Sequence, residues 1–440
     1  MISYKKFIKL EKVTEYLFYL FVFLLPWQTR WIIQSGNLGG HFWEYGSFSL
    51  FGTDILWLVI LILFLLIKTR LAKRPALARL WPSLIGFLII CLFSVLVAFD
   101  RGIASYGFLK ILEGASVFYL VTRLPLTILR TSLVLVSSAC LQAGLAVWQL
   151  FSQQVLALKW LGLAKQLPVD QGVYVVENAL GRFLRAYGSL HPIILSYFLV
   201  ISLIITFGLY FWTRKIKQKI YVWSALYLIL LGLVLTFGRV AWLSAAIGLI
   251  SLYLMIWGLM SKRGKKKLAL LALIIILGSS LFVVIFQEIV VTRLQMNERL
   301  EQVSINERSY YLQDAVNITK EHWYEGVGPY NFTQAVRREA DGLREAWNYQ
   351  PPNNLFILIM VETSIFGLIT FLWLLGEIGR LVWHKVQKLN LKKDWWFIIY
   401  TVGLIILLIT AFFDHTYWTL QFGLLFFWLI LGLWARSLED

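Results

Sequence analysis

The chain has 440 residues, 59% of them hydrophobic and 15% charged, with a mean hydropathy of +0.72. A soluble domain averages nearer half apolar and about a quarter charged, so a soluble globular class is excluded. The net charge of +17 would suit nucleic acid, but the basic residues come in short clusters between apolar runs, so nucleic acid is not an expected partner.

In chain order, apolar runs predict twelve transmembrane helices, near 14–33, 54–70, 81–99, 104–122, 127–151, 191–212, 219–237, 239–260, 268–287, 353–379, 395–413 and 416–435. Each approaches the length needed to cross a hydrocarbon core about 30 Å thick. The runs are too long and too uniformly apolar for barrel strands. The expected fold class is therefore all-α, a polytopic membrane bundle. The first run, LFYLFVFLLPW, follows a basic stretch and is not followed by a small-residue cleavage site, so it reads as an uncleaved span. The fourth contains Lys110 and Glu113, which share a helix face at that spacing and can pair. Cys91 and Cys140 both fall in spans and imply no disulfide framework or metal site.

The basic clusters fall in every second loop: Lys5, Lys6, Lys9 and Lys12; Lys68, Arg70, Lys73, Arg74 and Arg79; Arg123 and Arg130; Arg214, Lys215, Lys217 and Lys219; Lys262, Arg263, Lys265, Lys266 and Lys267; and Arg380, Lys385, Lys388, Lys392 and Lys393. That alternation marks the cytoplasmic side and places both termini there. Trp81, Trp395, Trp396 and Trp418 sit at span ends, as interfacial anchors do. The organisation reads as membrane helices 1–9 over residues 1–287 with an outer loop at 152–190, a large extracytoplasmic loop at 288–352, and helices 10–12 over 353–440. Acidic residues outnumber basic ones in the large loop, and its residues 306–323 place Tyr311, Ala315 and Ile318 on one helical face. The glycines and proline of EGVGPYNF then end that helix. A loop of this length is expected to be functional.

Three stretches on the outer side carry candidate chemistry. LTFGRVAWL, 235–243, joins two spans with almost no loop and sets Arg239 at the membrane surface. An arginine there either snorkels to the interface or binds an anion, and its planar guanidinium suits phosphate oxygens. FLRAYGSLHP, 183–192, brings Arg182, Arg185 and His191 to the same face. Residues 307–332 set Arg308 near the start of the loop helix, where it is either a solvated charge or a second anion ligand.

Together the stretches resemble a family. Thr236, Arg239 and Trp242 in T-x-x-R-x-x-W, RAYGSLHP at 185–192, an arginine leading to GVGPYNF ending at Phe332, and the polar-led span PPNNLFILIMVETSIFG occur in order. That succession is similar to the O-antigen ligase and polymerase superfamily of bacterial membrane glycosyltransferases, from about residue 180 onward. The resemblance implies transfer of a glycan from a polyprenyl diphosphate carrier to an acceptor hydroxyl of a lipid or sugar, at the outer face of the cytoplasmic membrane. It implies no metal and no cofactor. Arg239 and Arg308 would hold the diphosphate, with Arg185, His191, Asn354 and Asp414 in supporting binding positions. The family places a histidine at the head of the tenth span, where this chain has Asn353; Ser364 stands at the family's first glycine, and Gly238 replaces a serine. Asparagine is no base near neutral pH but can orient a hydroxyl or donate to a diphosphate oxygen. His415, beside Asp414 at the outer end of the last hairpin, is the candidate substitute base, with His191 the alternative. Glu362 lies about 13 Å deeper than Asn353 along an ideal helix and is expected to pair between helices. The five histidines lack metal-ligand spacing. Two other classes stay open: a binder of lipid-linked glycan without chemistry, and a transporter of an anionic solute.

Overall fold

The computed structural model of the protein describes residues 4–38, 40–67, 75–339 and 344–439. Of the basic clusters, Lys68, Arg70, Lys73 and Arg74 lie outside the described residues, as do the side chains of Lys5, Lys6 and Lys9. The chain begins with α1 (Tyr4–Leu24), then β1 (Arg30–Gln34), β2 (Asn37–Leu38), β3 (His41–Phe42) and β4 (Phe48–Phe51). Five helices follow: α2 (Gly52–Leu66), α3 (Pro75–Ala78), α4 (Trp81–Leu96), α5 (Arg101–Arg123) and α6 (Ile128–Ser152). A hairpin, β5 (Val175–Asn178) and β6 (Gly181–Leu184), precedes α7 (Pro192–Trp212), α8 (Ile216–Leu235), α9 (Arg239–Trp257) and α10 (Lys262–Ile285). The large loop folds into α11 (Gln287–Gln295), α12 (Arg299–His322) and α13 (Phe332–Glu339). The chain closes with α14 (Leu355–Val386), α15 (Trp395–Ala411), α16 (Thr416–Thr419) and α17 (Gln421–Ser437).

Among the described residues, six helices are long and apolar enough to cross a membrane: α6, α7, α8, α9, α10 and α14. Four more, α2, α4, α15 and α17, are apolar but shorter. The fold is thus that of an all-α membrane protein with small β hairpins in its loops. The first expected span is displaced: instead of 14–33, the helix is Tyr4–Leu24. Pro26 follows its end and cannot continue the ladder, and Arg30–Gln34 pairs antiparallel with β4.

The core is graded across the bundle. In α7, 89% of the apolar window is buried; in α10 the share is 17%. α7 packs against α6, α8, α9 and α15, and α17 packs against α5 and α15. These inner helices are apolar all round, as buried helices are, whereas α10 turns most of its surface outward. The charges inside α5 are matched. Lys110 pairs with Glu113 at 3.3 Å and with Asp54 of α2. Gln421 of α17 closes the group by donating to Glu113 at 3.1 Å and to Asp54. Asp54 also accepts the Phe51 N–H at 2.9 Å. A buried ionic group is tolerated in a bundle when its members satisfy one another in this way.

The tenth span is broken. Ser364 has φ 70° and ψ 175° inside α14, and the break frees carbonyls that an unbroken ladder would have used. Val361 and Glu362 give their carbonyls to Val327 N–H at 3.0 Å and Gly328 N–H at 2.9 Å, and Ile365 N–H donates to Trp323 at 2.9 Å. The turn EGVGPYNF is therefore hydrogen-bonded into the helix. Gly326 (φ +73°) and Gly328 (φ +96°) make this possible: a Cβ at Gly326 would meet the Glu362 carbonyl oxygen at 2.7 Å, and one at Gly328 would meet the Ala98 Cβ at 2.3 Å.

This insertion also accounts for Glu362, which joins helices as expected, through hydrogen bonds and with no cation partner among the described residues. It accepts from Tyr330 N–H at 2.7 Å, Phe332 N–H at 3.2 Å and Trp418 Nε1 at 2.6 Å, and it is 1% exposed. Glu362 fastens the large loop and α16 to α14, so the loop docks in one orientation over the end of the bundle.

Candidate functional site: a cationic cavity at one end of the bundle

The cavity begins where α8 ends and α9 starts. The last carbonyls of a helix lack partners and carry the negative end of its dipole. Here two arginines supply them: Arg185 Nε donates to the Thr236 carbonyl at 2.8 Å, and Arg293 Nε to the Phe237 carbonyl at 3.1 Å. Arg239 is the first residue of α9 and donates through Nη1 to the Arg293 carbonyl at 3.1 Å. Glu301 of α12 receives both Arg293 and Arg239, the latter at 3.1 Å. Three arginines from three chain segments thus meet at the α8–α9 junction, two of them on one carboxylate.

Arg185 reaches this point because the turn Ala186–Tyr187–Gly188–Ser189 is clamped by two amides on α6. Gln149 Oε1 accepts from Tyr187 N–H at 3.1 Å and Gly188 N–H at 2.7 Å, and Gln142 Oε1 accepts from Ser189 N–H at 2.7 Å. A buried loop needs its backbone groups satisfied, and α6 does this with glutamines inside an apolar run. Burial, then the charge of Arg293, pulls the Arg185 guanidinium down to about 9, which leaves it cationic at neutral pH.

The cavity over these arginines has a volume of about 630 Å³, within the range of small-molecule sites. Seven of the eight expected residues line it: Arg185, His191, Arg239, Arg308, Asn353, Asp414 and His415. Asn354 does not. It is the N-cap of α14, accepting from Ile357 N–H at 3.0 Å and donating to the Phe412 carbonyl at 3.1 Å. Asn353, one residue earlier, lies outside the helix and half-buried on the cavity wall. The capping preference of asparagine thus assigns the second residue of the pair to structure and leaves the first for the cavity.

Arg308, on the second turn of α12 past Glu301, makes no ion pair or hydrogen bond among the described residues. Its charge acts on Asp414. Asp414 accepts from Thr416 N–H at 3.0 Å, and its other oxygen lies 3.5 Å from the Tyr197 hydroxyl. Burial raises the Asp414 carboxyl, against the opposing pull of His415, the Thr416 amide and Arg308. His415 Nδ1 lies 2.7 Å from Thr419 Oγ1, leaving Nε2 as its other nitrogen. Burial holds the imidazole below its ordinary value even with Asp414 beside it. His415 is therefore neutral and basic at neutral pH.

His191 has a different task. As N-cap of α7 its Nδ1 accepts from Ile193 N–H at 3.3 Å, and the Tyr174 ring stands edge-on at 3.9 Å. Burial, then the charges of Arg185 and His415, pushes it down to about 3. A nitrogen already committed to a backbone amide makes His191 a helix cap.

Sequence reasoning missed Arg293, Glu301 and Tyr45. Arg293 closes an apolar stretch, QEIVVTR, eight residues after α10 ends, and asking where each arginine near a span end must lie would have found it. Tyr45 comes from the loop after α1, lines the cavity and donates to Gln350 at 2.8 Å; no local pattern marks it. Away from the cavity, Glu321, His322 and Glu339 lie close enough to one another to suggest a metal. Yet His322 already meets Glu325 at 2.9 Å and Glu339 at 2.7 Å, which makes it a clamp between α12 and α13.

The fold and the cavity define a class: a helical membrane protein with a deep cationic cavity at one end, roofed by a folded loop. Residues 223–372 match the family model described as O-antigen ligase, Wzy_C. The chain carries an O-antigen ligase-type domain, and the superfamily resemblance of its motifs is shown over that segment. The match supports the general class of membrane glycosyltransferase-like ligases and polymerases and, with it, a role in polysaccharide biosynthesis on a lipid-linked glycan. No curated protein matches the chain. The matched segment includes Arg239, Arg293, Glu301, Arg308, Asn353 and Glu362, but ends before Asp414 and His415.

Proposed function

We propose that this protein is a polytopic glycosyltransferase of the bacterial cytoplasmic membrane. It has twelve spans, both termini in the cytoplasm and the arginine cavity on the outer side. The reaction is transfer of a glycan from a polyprenyl diphosphate to an acceptor hydroxyl, of the O-antigen ligase or surface-polysaccharide polymerase type. The observation that carries this reading is the convergence of Arg185, Arg239, Arg293 and Arg308 on one cavity.

In the proposed step the acceptor oxygen attacks the anomeric carbon and the bond from that carbon to the diphosphate oxygen breaks. The acceptor proton goes to His415 Nε2, and polyprenyl diphosphate departs as an anion. Stabilising that developing charge is the main demand, and preformed cations in a water-poor site meet it. Arg239 and Arg308 hold the diphosphate, and Arg182, Arg185 and Arg293, which also line the cavity, add to its positive charge. Asp414, buried and one residue from His415, favours the imidazolium that forms. Asn353 orients the acceptor hydroxyl, and the Tyr45, Tyr174 and Tyr311 rings along the wall offer faces for sugars.

Glu301 must yield its two arginines to the incoming diphosphate, or share them. A second reading rests on this feature and on Asn353: a protein that binds lipid-linked glycan without turning it over. The test is a deletion strain complemented with variants. Accumulated single repeat units on lipid would mark a polymerase, and accumulated long chains on lipid a ligase. Activity that appears only with Asn353→His would favour the binder.

A further inference from the structure

A second cavity lies at the other end of the bundle, with a volume of about 990 Å³. α7 separates the two: Ile193 and Ile194 at its start line the arginine cavity, and Leu209, Phe211 and Trp212 at its end line the second. Twenty-one residues at 1.5 Å each place them about 30 Å apart, so the second cavity is no extension of the first.

Its composition is two-part. The walls are apolar and aromatic, with Leu133, Leu209, Tyr221, Val222 and Trp395 among them. The rim carries Arg214, Lys215, Lys217 and Lys392. None of the four has an ion-pair partner among the described residues. Asp394, two residues after Lys392, is held by Lys385 at 2.7 Å and by the Asn390 backbone N–H at 2.8 Å. The chain also turns into α8 here. Lys215 is the N-cap with no side-chain cap bond, and the first turn of α8 contains no acid. The opening N–H groups of α8 thus face the same rim, where anions are favoured. Trp395 Nε1 donates to the Gly208 carbonyl at 2.9 Å, which fixes the apolar wall.

We infer that this second cavity is a binding site for an anionic glycerophospholipid. Its phosphate would sit against Arg214, Lys215, Lys217 and the start of α8, and an acyl chain against the apolar wall. Charge complementarity chooses the headgroup, since four unpaired cations surround the opening. The apolar depth chooses a lipid over a free phosphate. Basic pockets between membrane helices bind anionic lipid headgroups on the same physics. The inference does not rest on the glycosyl-transfer reading, because it uses no residue of the arginine cavity.

The test uses full-length protein, delipidated in detergent and titrated with dioleoyl phosphatidylglycerol, dioleoyl phosphatidylcholine or glycerol 3-phosphate, and read by native mass spectrometry and thermal unfolding. Wild type should retain phosphatidylglycerol in preference to phosphatidylcholine and gain thermal stability from it. Arg214→Gln/Lys215→Gln/Lys217→Gln should weaken that binding about tenfold or more, given that each charge near a headgroup contributes separately. Lys262→Gln/Lys266→Gln/Lys267→Gln, which removes equal charge from outside the cavity, should leave it within about twofold. Leu133→Trp, which fills the wall and keeps every charge, should also lose the lipid. Equal losses in the two charge variants would reduce the effect to general surface attraction and overturn the site. Displacement of the lipid by equimolar glycerol 3-phosphate would overturn the acyl-lipid assignment, as would unchanged binding in Leu133→Trp.

Discussion

The two ends of the bundle hold their cations differently. At one end Arg185 is 4% exposed, Arg239 and Arg293 share a carboxylate, and backbone carbonyls complete their hydrogen bonds. At the other, Arg214, Lys215 and Lys217 are exposed and unpaired among the described residues. Burying a guanidinium is costly unless hydrogen bonds and a counter-charge accompany it, so the first arrangement needs a reason to exist. The second costs little and follows the general bias of membrane proteins toward one basic side. Charge count alone cannot separate the two; the partners of each cation do.

The comparison can be broken at its first end. Arg239→Ala is expected to lower glycan transfer by about 10²–10³-fold, the size seen when one preorganised donor is removed from a charged transition state. Loss of the base should weigh less. His415→Ala is expected to cost about 10²-fold or more in turnover, with KM for the lipid donor little changed. Wild-type activity should also fall on the acid side as His415 becomes protonated, and that limb should vanish in the variant. Glu362→Ala would leave two backbone N–H groups and the Trp418 indole N–H buried without an acceptor. Each such group costs about 1–3 kcal/mol, so a clear drop in thermal unfolding temperature is expected, together with protease sensitivity in residues 325–332.

Two smaller effects sharpen the contrast. Glu301→Gln removes the counter-charge and keeps the shape, so binding of inorganic diphosphate should tighten about tenfold, the lower end of what one charged hydrogen bond contributes; equilibrium dialysis reads it. His191→Asn should retain the α7 cap, since asparagine caps well. In the folded protein His191 sits at about 3, below its ordinary 6.5. Protons therefore favour the unfolded state as pH falls through that window: the stability is full above about 6.5 and is lost toward 3. The variant should be less acid-sensitive over that range, as measured by unfolding midpoints at stepped pH.

Much of this architecture is legible in the sequence, because membrane helices announce themselves by length and hydropathy. The helical face of Tyr311, Ala315 and Ile318 is legible for the same reason: Ala315 and Ile318 are buried and Tyr311 turns to the cavity. The first span was misplaced because LFYLFVFLLPW is apolar on both sides of the true helix end, and hydropathy does not register a proline stop. The break in α14 was invisible from the helix itself. It depends on glycines some forty residues earlier that let another backbone approach. The site residues already noted for their chemistry converged, but Glu301 and Arg293 did not stand out, since their significance lies in pairing across chain segments. Asn354, expected among the binding residues, shows the reverse case: its side chain is engaged as the cap of α14 and it does not line the cavity.

The central claim is that the arginines of the cavity exist to hold a lipid diphosphate during glycosyl transfer. The direct test is purified protein in liposomes, supplied with a polyprenyl-diphosphate oligosaccharide and a hydroxyl acceptor, with wild type and Arg239→Ala compared in parallel. The account predicts glycan transferred or extended by wild type, with release of polyprenyl diphosphate, and loss of both in the variant. Full transfer by Arg239→Ala would contradict it.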